Sequence, residues 1–360
     1  MSANVTEETV LAALRQVEDP ELHRDVISLG MIKDIRVTEG RVALTLVLTT
    51  PACPVRQKFE EDVRTAVAGI PGVIGVDLST TAQVRSLRGF DQPSIPGVQN
   101  VVAIASGKGG VGKSTVSVNL AVALAREGAR VGLLDADIYG PNVPLMMGLS
   151  ELPPMKDGKI VPAENFGVKV MSMGFLVKPS EAIIWRGPML HGAVTKFLKE
   201  VLWGELDYLL VDLPPGTGDV QLSLCQVISM SGALIVTTPQ DVALLDVLKA
   251  ISMFEKVKVP ILGVLENMSG FICPHCSKET DIFDKGGAVR AAERMNLPFL
   301  GEIPLMMQVR EGGDTGHPVV LTHPDSVPAA AFTEVARKLA AQISVRAAGE
   351  EAQARTVWKV

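Results

Sequence analysis

The chain has 360 residues, of which 47% are hydrophobic and 21% charged, and its formal net charge is −6. This length favours two domains or one domain with appendages, and the composition is ordinary for a globular protein with a full core. The negative charge gives no support to a general nucleic-acid-binding role. Since the sequence shows neither a signal-peptide pattern nor an apolar run long enough to cross a bilayer, we expect a cytoplasmic protein that binds no membrane.

Residues 1–86 have the pattern of a small α+β domain. Apolar spacing and turn residues predict a helix, two strands, a helix and a strand, at residues 6–17, 31–37, 41–48, 54–70 and 73–78. Glu39 and Gly40 lie between the first two strands and indicate a hairpin. Residues 87–99 contain two prolines and two glycines with little apolar periodicity, so they are interpreted as a linker.

A different pattern begins at residue 100. Seven apolar runs alternate with helical stretches, at residues 101–105, 131–134, 168–171, 208–211, 233–236, 261–265 and 299–303. Continuous apolar strands between helices predict an α/β domain with a mainly parallel sheet covered by helices on both faces. We expect this domain to span residues 100–346, with a last helix over 327–345 and a charged, frayed tail at 347–360.

The first of these apolar runs is followed by a phosphate-binding loop. Residues 106–115 read SGKGGVGKST, which has the form G-x-x-x-x-G-K-[ST] between a strand and a helix. Glycines allow backbone N–H groups to surround phosphate oxygens, and the helix N-terminus adds its positive dipole end. Lys113 is placed to pair with the terminal phosphates and Ser114 to bind Mg²⁺. The predicted loop contacts to the nucleotide are Gly107, Lys108, Gly109, Gly110, Val111, Gly112, Lys113, Ser114 and Thr115.

A second lysine, Lys108, lies inside the same loop. One lysine is enough for a nucleotide, so we expect the additional charge to act elsewhere, for example across a dimer. The glycine-rich turn without a ligand is disfavoured, because two lysines in a tight loop repel each other unless an anion lies between them.

Two aspartates that follow apolar strands are candidates for the rest of the nucleotide site. Asp212 is expected to hold Mg²⁺ through its water shell, and Asp137, which comes shortly after Asp135, to orient the attacking water. Either could instead be a helix N-cap, but the phosphate loop favours the nucleotide roles. Gly216 and Gly218 make the next segment a candidate switch.

Asn267 follows the strand predicted at residues 261–265. Its side chain could contact the base of the nucleotide or form a turn, and spacing alone does not separate these two interpretations.

Two of the four cysteines form a C-x-x-C motif, Cys273 and Cys276. In a reducing compartment such a pair is a metal or redox site rather than a structural disulfide. Three interpretations stay open. Two chains could each give one pair to a shared Zn²⁺ or [4Fe–4S] site, the pair could be a redox dithiol, or it could be half of a zinc site completed by His275 and another residue.

The other two cysteines are isolated. Cys53 lies just before a predicted helix, where it is either a reactive thiolate or a small residue in a packed corner. Cys225 lies within a helical run and is expected to pack as an apolar group.

These motifs resemble a known family. Two lysines in GKGGVGKST form the deviant phosphate loop of the family that includes MinD, ParA-type partition proteins and nitrogenase iron protein. Over residues 100–340, three further strings make the chain similar to Mrp/ApbC-type iron–sulfur cluster carrier ATPases, namely DADIYGPN at 135–142, VDLPPGTGD at 211–219 and CPHC at 273–276. The first domain, through Asp19-Pro20-Glu21 and the turn at 50–54, resembles the small iron–sulfur-assembly domain often fused in front of these carriers.

This resemblance implies a homodimeric ATPase that uses ATP and Mg²⁺, binds a [4Fe–4S] cluster and transfers it to apo iron–sulfur proteins. It implies that Cys273 and Cys276 of both subunits hold one bridging cluster, and that Lys108 reaches the nucleotide of the partner. The alternative is a MinD/ParA-like positioning or partition ATPase that acts as a nucleotide-switched binding module.

The resemblance also implies roles for single residues. Asp137 matches the switch position and Asp212 the Mg²⁺ position, so the catalytic residues would be Lys108, Lys113 and Asp137. Asn267 matches the adenine contact. Cys225 departs from the pattern, since a small apolar residue is expected there.

Overall fold

The computed structural model describes residues 5–87, 95–138, 140–175, 187–227, 229–273, 275–276 and 278–357. The chain divides into two compact units, one made of residues 1–85 with 340–360 and the other of residues 86–339. Tyr139 and Pro274 of the motifs, and residues 88–94 of the predicted linker, lie outside the described residues.

The first unit is the predicted small α+β fold. Its elements are α1 (Glu7–Leu14), β1 (Glu18–Asp19), β2 (Arg24–Asp25), β3 (Ile32–Thr38), β4 (Arg41–Leu48), α2 (Arg56–Ala68) and β5 (Gly75–Ala82). Strand β4 pairs antiparallel with β3 and parallel with β5. Every second residue of β4 is buried, as in a strand with one face on a core, and Phe59 and Val63 of α2 are buried in the same core.

The second unit contains the remaining elements. They are β6 (Val98–Ala105), α3 (Lys113–Arg126), β7 (Val131–Asp135), α4 (Val143–Met146), β8 (Met155–Lys156), β9 (Lys159–Ile160), β10 (Ala163–Asn165), β11 (Val168–Ser172), α5 (Gly187–Glu200), β12 (Leu206–Asp212), α6 (Asp219–Val227), β13 (Gly232–Thr237), α7 (Asp241–Lys256), β14 (Ile261–Ile272), β15 (Glu279–Thr280), α8 (Gly287–Arg294), β16 (Phe299–Leu305), α9 (Met307–Thr315), α10 (Val319–Thr322) and α11 (Val327–Val357). By the division above, the last part of α11 belongs to the first unit.

A nine-stranded sheet forms the centre of the second unit. Its order is β10-β11-β7-β12-β6-β13-β14-β15, and β16 also pairs with β14. The pairs from β11 to β14 and the pair of β14 with β16 are parallel, whereas β10 and β15 join antiparallel. All residues of β7, β12 and β13 are buried. Complete burial requires cover on both faces, so the predicted α/β fold is confirmed.

This topology places the predicted nucleotide residues at one edge of the sheet. The phosphate loop follows the central strand β6, whose neighbours are β12 and β13. Asp212 at the end of β12 is in register with Asp135 at the end of β7. The carboxyl ends of parallel strands are where ligands bind in such sheets.

Several short strands and the end of the last helix differ from the sequence-based expectation. The pair of β1 and β2, the hairpin of β8 and β9 and the edge strands β10 and β15 were not predicted, because strands of two or three residues carry no readable alternation. Helix α11 continues to Val357, where a frayed tail was expected from residue 347. Alanine, glutamate, glutamine and arginine dominate that segment, and these are strong helix formers. No helix among the described residues combines the length and apolarity needed to span a membrane.

Candidate functional site

The phosphate loop lies between β6 and α3. Gly112 is the N-cap of α3 and has a left-handed φ of 79°. A Cβ at this position would collide with the side-chain amide of Asn267, so the position suits glycine alone. The backbone N–H groups of the loop and the N-terminus of α3 together form a site suited to phosphate.

Lys113 and Asp212 form the charged centre of this site. The Nζ of Lys113, whose side chain is 6% exposed, lies 2.8 Å from Oδ1 of Asp212 and 3.7 Å from Oδ2 of Asp137. The buried carboxylate of Asp212 also accepts hydrogen bonds from the hydroxyls of Ser114, at 2.6 Å, and Ser117, at 2.7 Å. A buried carboxylate is tolerated when it is paired in this way. Ser117 was not predicted, although it lies one helical turn after the lysine.

Asp135 holds the segment that carries Asp137. Its Oδ1 accepts the N–H of Asp137 at 3.1 Å. Its Oδ2 accepts the N–H of Val143 at 3.3 Å and the hydroxyl of Ser172 at 2.8 Å. Burial, followed by the charge of Asp212, raises the pKa of the Asp135 carboxyl. The sequence marked Asp135 only as the end of a strand, because its partners lie on two other segments.

Asn267 connects β14 to the phosphate loop. Its Nδ2 donates a hydrogen bond to the carbonyl of Val111 at 2.8 Å. It also lines a cavity of about 210 Å³. The same cavity is also lined by Thr115, Met146, Met268, Met306 and Arg310. Asn267 lies within β14 and not in a turn, so the turn interpretation is wrong. Its contact with the base of the nucleotide stays a prediction.

Lys108 lies half-buried in the loop, and its carbonyl accepts the hydroxyl of Ser106 at 2.9 Å. The N–H of Gly216 donates to the carbonyl of Ser106 at 2.9 Å. The candidate switch segment therefore contacts the phosphate loop directly. Within the described parts of the chain Lys108 forms no ion pair, so its ammonium group remains available to a further anion.

Cys273 and Cys276 lie at the tip of the antiparallel hairpin formed by β14 and β15. The N–H of Cys273 donates to the carbonyl of Lys278 at 3.0 Å and closes the tip. Cys273 is half-buried and Cys276 is exposed. Hydrogen bonds from the N–H groups of His275 and Cys276 hold the pKa of the Cys273 thiol below its ordinary range. Backbone N–H groups that stabilise a thiolate also prepare it as a metal ligand.

The hairpin supplies two thiols and no complete metal site by itself. In the described portion of the sequence no group of three or more His, Cys, Asp and Glu side chains is positioned to hold a metal ion. Two thiolates can fill half of a four-ligand site.

Glu266 fixes the segment that follows the hairpin. This fully buried residue of β14 accepts the N–H of Gly286 at 2.9 Å through Oε1 and the N–H of Ala288 at 2.7 Å through Oε2. Both N–H groups belong to the N-terminus of α8, which a negative charge stabilises. A glutamate inside an apolar strand was the only signal of this role in the sequence.

The two isolated cysteines, Cys53 and Cys225, have raised thiol pKa values, in contrast to Cys273. Burial raises the pKa of the Cys53 thiol to about 11, and the carboxylates of Glu21 and Asp19 add to this, whereas the N–H of Val55 opposes it. Of the two interpretations left open for Cys53, these observations favour the packed corner over the reactive thiolate, because α2 begins only at residue 56 and the thiol lies in the packed turn before it.

Cys225 is fully buried, and burial raises the pKa of its thiol to about 12. Its predicted packing as an apolar group is confirmed.

These environments predict unequal alkylation of the thiols. In reduced, metal-free protein at pH 7.5 we expect iodoacetamide to modify Cys273 at least about tenfold faster than Cys53. Raising a thiol pKa from 9.0 to about 11 lowers its thiolate fraction about 100-fold, and the higher nucleophilicity of the basic thiolate offsets about tenfold of this. Peptide mass spectrometry of quenched samples measures both rates. Equal rates would contradict the assigned environments.

Comparison with known proteins identifies the family. A family model described as the NUBPL iron-transfer P-loop NTPase matches residues 97–340. The chain belongs to this iron-transfer P-loop NTPase family. A second family model, described as an iron–sulfur cluster assembly protein, matches residues 7–78. Membership of the iron-transfer family makes the chain a P-loop NTPase.

Relatives of this NTPase cover nearly the whole chain. A protein of Deinococcus radiodurans named iron–sulfur cluster carrier protein is 53% identical over 345 residues, which are 95% of this chain and 97% of that protein. An Escherichia coli protein of the same name is 42% identical over 337 residues, which are 93% of this chain and 91% of that protein.

Solved structures share the NTPase fold. A nucleotide-binding protein from Archaeoglobus fulgidus, in complex with ADP, has a TM-score of 0.56 and 41% identity, and the match covers 62% of this chain and 88% of that one. The cell division ATPase MinD of Pyrococcus furiosus has a TM-score of 0.51 and 28% identity, over 67% of this chain and 98% of that one.

Proposed function

We propose that this protein is an ATP-hydrolysing carrier that binds a [4Fe–4S] cluster between two copies of the chain and transfers it to apo iron–sulfur proteins. Membership of the iron-transfer NTPase family and the names of the full-length relatives support this proposal. The observation that carries it is the thiol pair at the tip of a hairpin, with Cys276 exposed and Cys273 half-buried. The first strand of this hairpin also contacts the phosphate loop through Asn267.

The chemistry proposed at the phosphate loop is phosphoryl transfer from ATP to water. The loop N–H groups and Lys113 would bind the phosphates, and Asp137 would orient the attacking water. In this reaction catalysis is mainly positioning and charge stabilisation. The ammonium of Lys113, which lies 2.8 Å from Asp212 in the nucleotide-free protein, would turn to the phosphates when Mg²⁺ binds beside Asp212 and would meet the charge that develops on the leaving phosphate.

Ser114 and Asp212 fit the requirements of a Mg²⁺ site. Their hydroxyl and carboxylate oxygens lie 2.6 Å apart, so the Ser114 hydroxyl would bind the ion and Asp212 would hold it through a water of its shell. When bound, Mg²⁺ neutralises charge on the β- and γ-phosphates. Ser117, which donates to the other carboxylate oxygen at 2.7 Å, would keep Asp212 in place.

The base of the nucleotide is proposed to occupy the cavity beside Asn267. Methionine side chains of this cavity offer a flexible apolar surface to an aromatic ring. Asn267 and Thr115 supply hydrogen-bonding groups at its edge.

The cluster is proposed to be shared between two chains. A [4Fe–4S] cluster takes four thiolates, and Cys273 and Cys276 supply two. Their position on an exposed tip allows a second copy to bring the other pair and leaves a transferable cluster accessible to a recipient. Thiolates are soft ligands that suit iron–sulfur clusters. Lys108 would then act on the nucleotide of the partner, consistent with its lack of an ion pair among the described residues.

Cluster transfer tests this function. Protein reconstituted without oxygen is mixed with an apo [4Fe–4S] enzyme whose activity returns only when a cluster is inserted. We expect activity to return faster than with equal amounts of free iron and sulfide, and to return when a chelator of free iron is present. Recovery no faster than with free iron and sulfide would contradict a carrier function.

The positioning or partition ATPase remains a second candidate because MinD shares the fold. Such a protein binds a membrane or DNA when ATP is bound. Co-sedimentation with anionic liposomes or with plasmid DNA, with and without ATP, separates the two functions. The carrier proposal expects neither pellet to contain the protein.

A further inference from the structure

Strand β14 joins the nucleotide cavity to the thiol hairpin. Asn267 and Met268 line the cavity, and only four residues separate Met268 from Cys273. The strand is irregular at this point. Met268 and Gly270 have φ values of 59° and 65°, and the pairing of β14 with β16 shifts its register between Asn267 and Phe271.

Beyond this irregularity, Phe271 pairs both with a strand of the cavity wall and with a strand of the thiol hairpin. On one side it is in register with Leu305, which lines the cavity. On the other side it is in register with Thr280, which belongs to β15 of the hairpin. A displacement of the cavity wall therefore has a direct backbone route to the hairpin.

The side chain of Lys285 connects β15 of the hairpin to β16 of the cavity wall. Its Nζ lies 2.7 Å from Oε1 of Glu279, on β15, and 3.1 Å from Oε1 of Glu302, on β16. The other oxygen of Glu302 accepts the hydroxyl of Ser269, on β14, at 3.2 Å. The two carboxylates raise the pKa of the Lys285 ammonium to about 12. One ammonium group thus ties three strands together at the base of the hairpin.

Gly270 of β14 lies in close contact with the side chain of Glu279 on β15. A Cβ on this residue would lie 2.7 Å from Oε1 of Glu279, the same oxygen that contacts Lys285. The glutamate passes over the backbone of β14, so its position depends on both the glycine and the lysine.

We propose that Lys285 is a positioning residue that ties the thiol hairpin to the wall of the nucleotide cavity, so that the bound nucleotide sets the exposure of Cys273 and Cys276. This inference rests on the proposed function both for the nucleotide in the cavity and for its purpose, since a carrier needs its cluster ligands to respond to the nucleotide. The tie is suited to regulation because partly exposed ion pairs contribute little to global stability. Its loss should change the coupling more than the fold.

The test measures thiol alkylation in reduced, cluster-free protein, without nucleotide, with Mg²⁺-ADP and with a slowly hydrolysed Mg²⁺-ATP analogue. In the unmodified protein we expect nucleotide to change the combined iodoacetamide rate at the thiol pair by about fivefold or more, the scale of an ordinary coupling between two sites. Lys285→Met should bring the ratio of rates with and without nucleotide close to one. Lys285→Arg, which keeps the cation, should retain most of the response.

Lys338→Met is the matched control, because Lys338 also forms an exposed ion pair, with Glu334 at 3.6 Å on α11. It should leave the ratio unchanged. Glu279→Met removes the contact of Lys285 with β15 and decides the question if the lysine variant does not fold. A nucleotide response that persists in Lys285→Met or Glu279→Met would overturn the proposal, as would no response in the unmodified protein.

Failure of the Lys285 proposal can be distinguished from failure of the proposed carrier function. Cluster binding and ATP hydrolysis are measured on the same preparations. If the protein carries clusters and hydrolyses ATP but the alkylation rate of its thiols does not change with nucleotide, only the Lys285 proposal is overturned. A protein whose thiols respond through Lys285 but which binds no cluster would overturn the carrier function alone.

Discussion

Replacing Lys113 by alanine is expected to lower the rate of ATP hydrolysis by about 100-fold or more, the usual cost of removing one group that stabilises charge in a transition state. The side chain is 6% exposed and its ammonium lies 2.8 Å from the carboxylate of Asp212. The measurement is phosphate release at saturating ATP, together with nucleotide affinity.

The same change should also destabilise the nucleotide-free protein. Without Lys113 the buried carboxylate of Asp212 loses its cation and keeps only two hydroxyl donors. Breaking a buried ion pair from one side costs about 3–5 kcal/mol, which denaturant unfolding would detect. Lys249→Ala is the control, since this lysine forms an exposed pair with Asp246 on α7 and should change neither quantity. Hydrolysis at the normal rate in the Lys113 variant would contradict the assigned site.

The double replacement of Cys273 and Cys276 by alanine is expected to abolish the iron–sulfur chromophore of protein reconstituted without oxygen. A cluster shared by two chains corresponds to about two iron atoms per chain, and this content should fall to background. Each single replacement should have nearly the same effect, because both chains carry it and the two remaining thiolates, one from each chain, do not complete the ligand set.

Cys225→Ala is the matched control for this experiment. Cys225 is fully buried and its raised thiol pKa disfavours the thiolate that a metal requires. The variant should keep its iron and sulfide and lose about 1 kcal/mol of stability, as for a small group removed from a core. A double variant that retained its cluster would show that the ligands lie elsewhere. Zinc in place of iron in the unmodified protein would instead indicate a structural zinc clip between subunits.

Whether a feature of the candidate site could be predicted from the sequence depended on how far apart its contacting residues lie along the chain. The phosphate loop was readable because its residues act within ten positions and its chemistry requires fixed spacing. Asp212 was readable because it ends an apolar strand, and parallel strands end at the same edge. The hairpin thiols were readable as a pair for the same local reason.

Contacts between distant segments were not readable. The bond from Asn267 to Val111 joins residues 156 positions apart, and no local pattern encodes it. The two bonds from the N-terminus of α8 to Glu266 join residues 20 and 22 positions apart and are likewise not encoded locally. The environment of Cys53 was left open between two interpretations because spacing gives closeness to a helix but not the carboxylates and burial supplied by the rest of the fold.

The central claim is that two copies of this chain share one cluster, and molar mass measured together with metal content tests it most directly. Protein reconstituted without oxygen and loaded with Mg²⁺-ATP would be analysed by light scattering, and the same fraction assayed for iron, sulfide and zinc. We predict a particle of twice the 38.3 kDa chain mass, with about four iron atoms and four sulfide ions per particle. A particle of one chain carrying both metal and nucleotide would contradict the account.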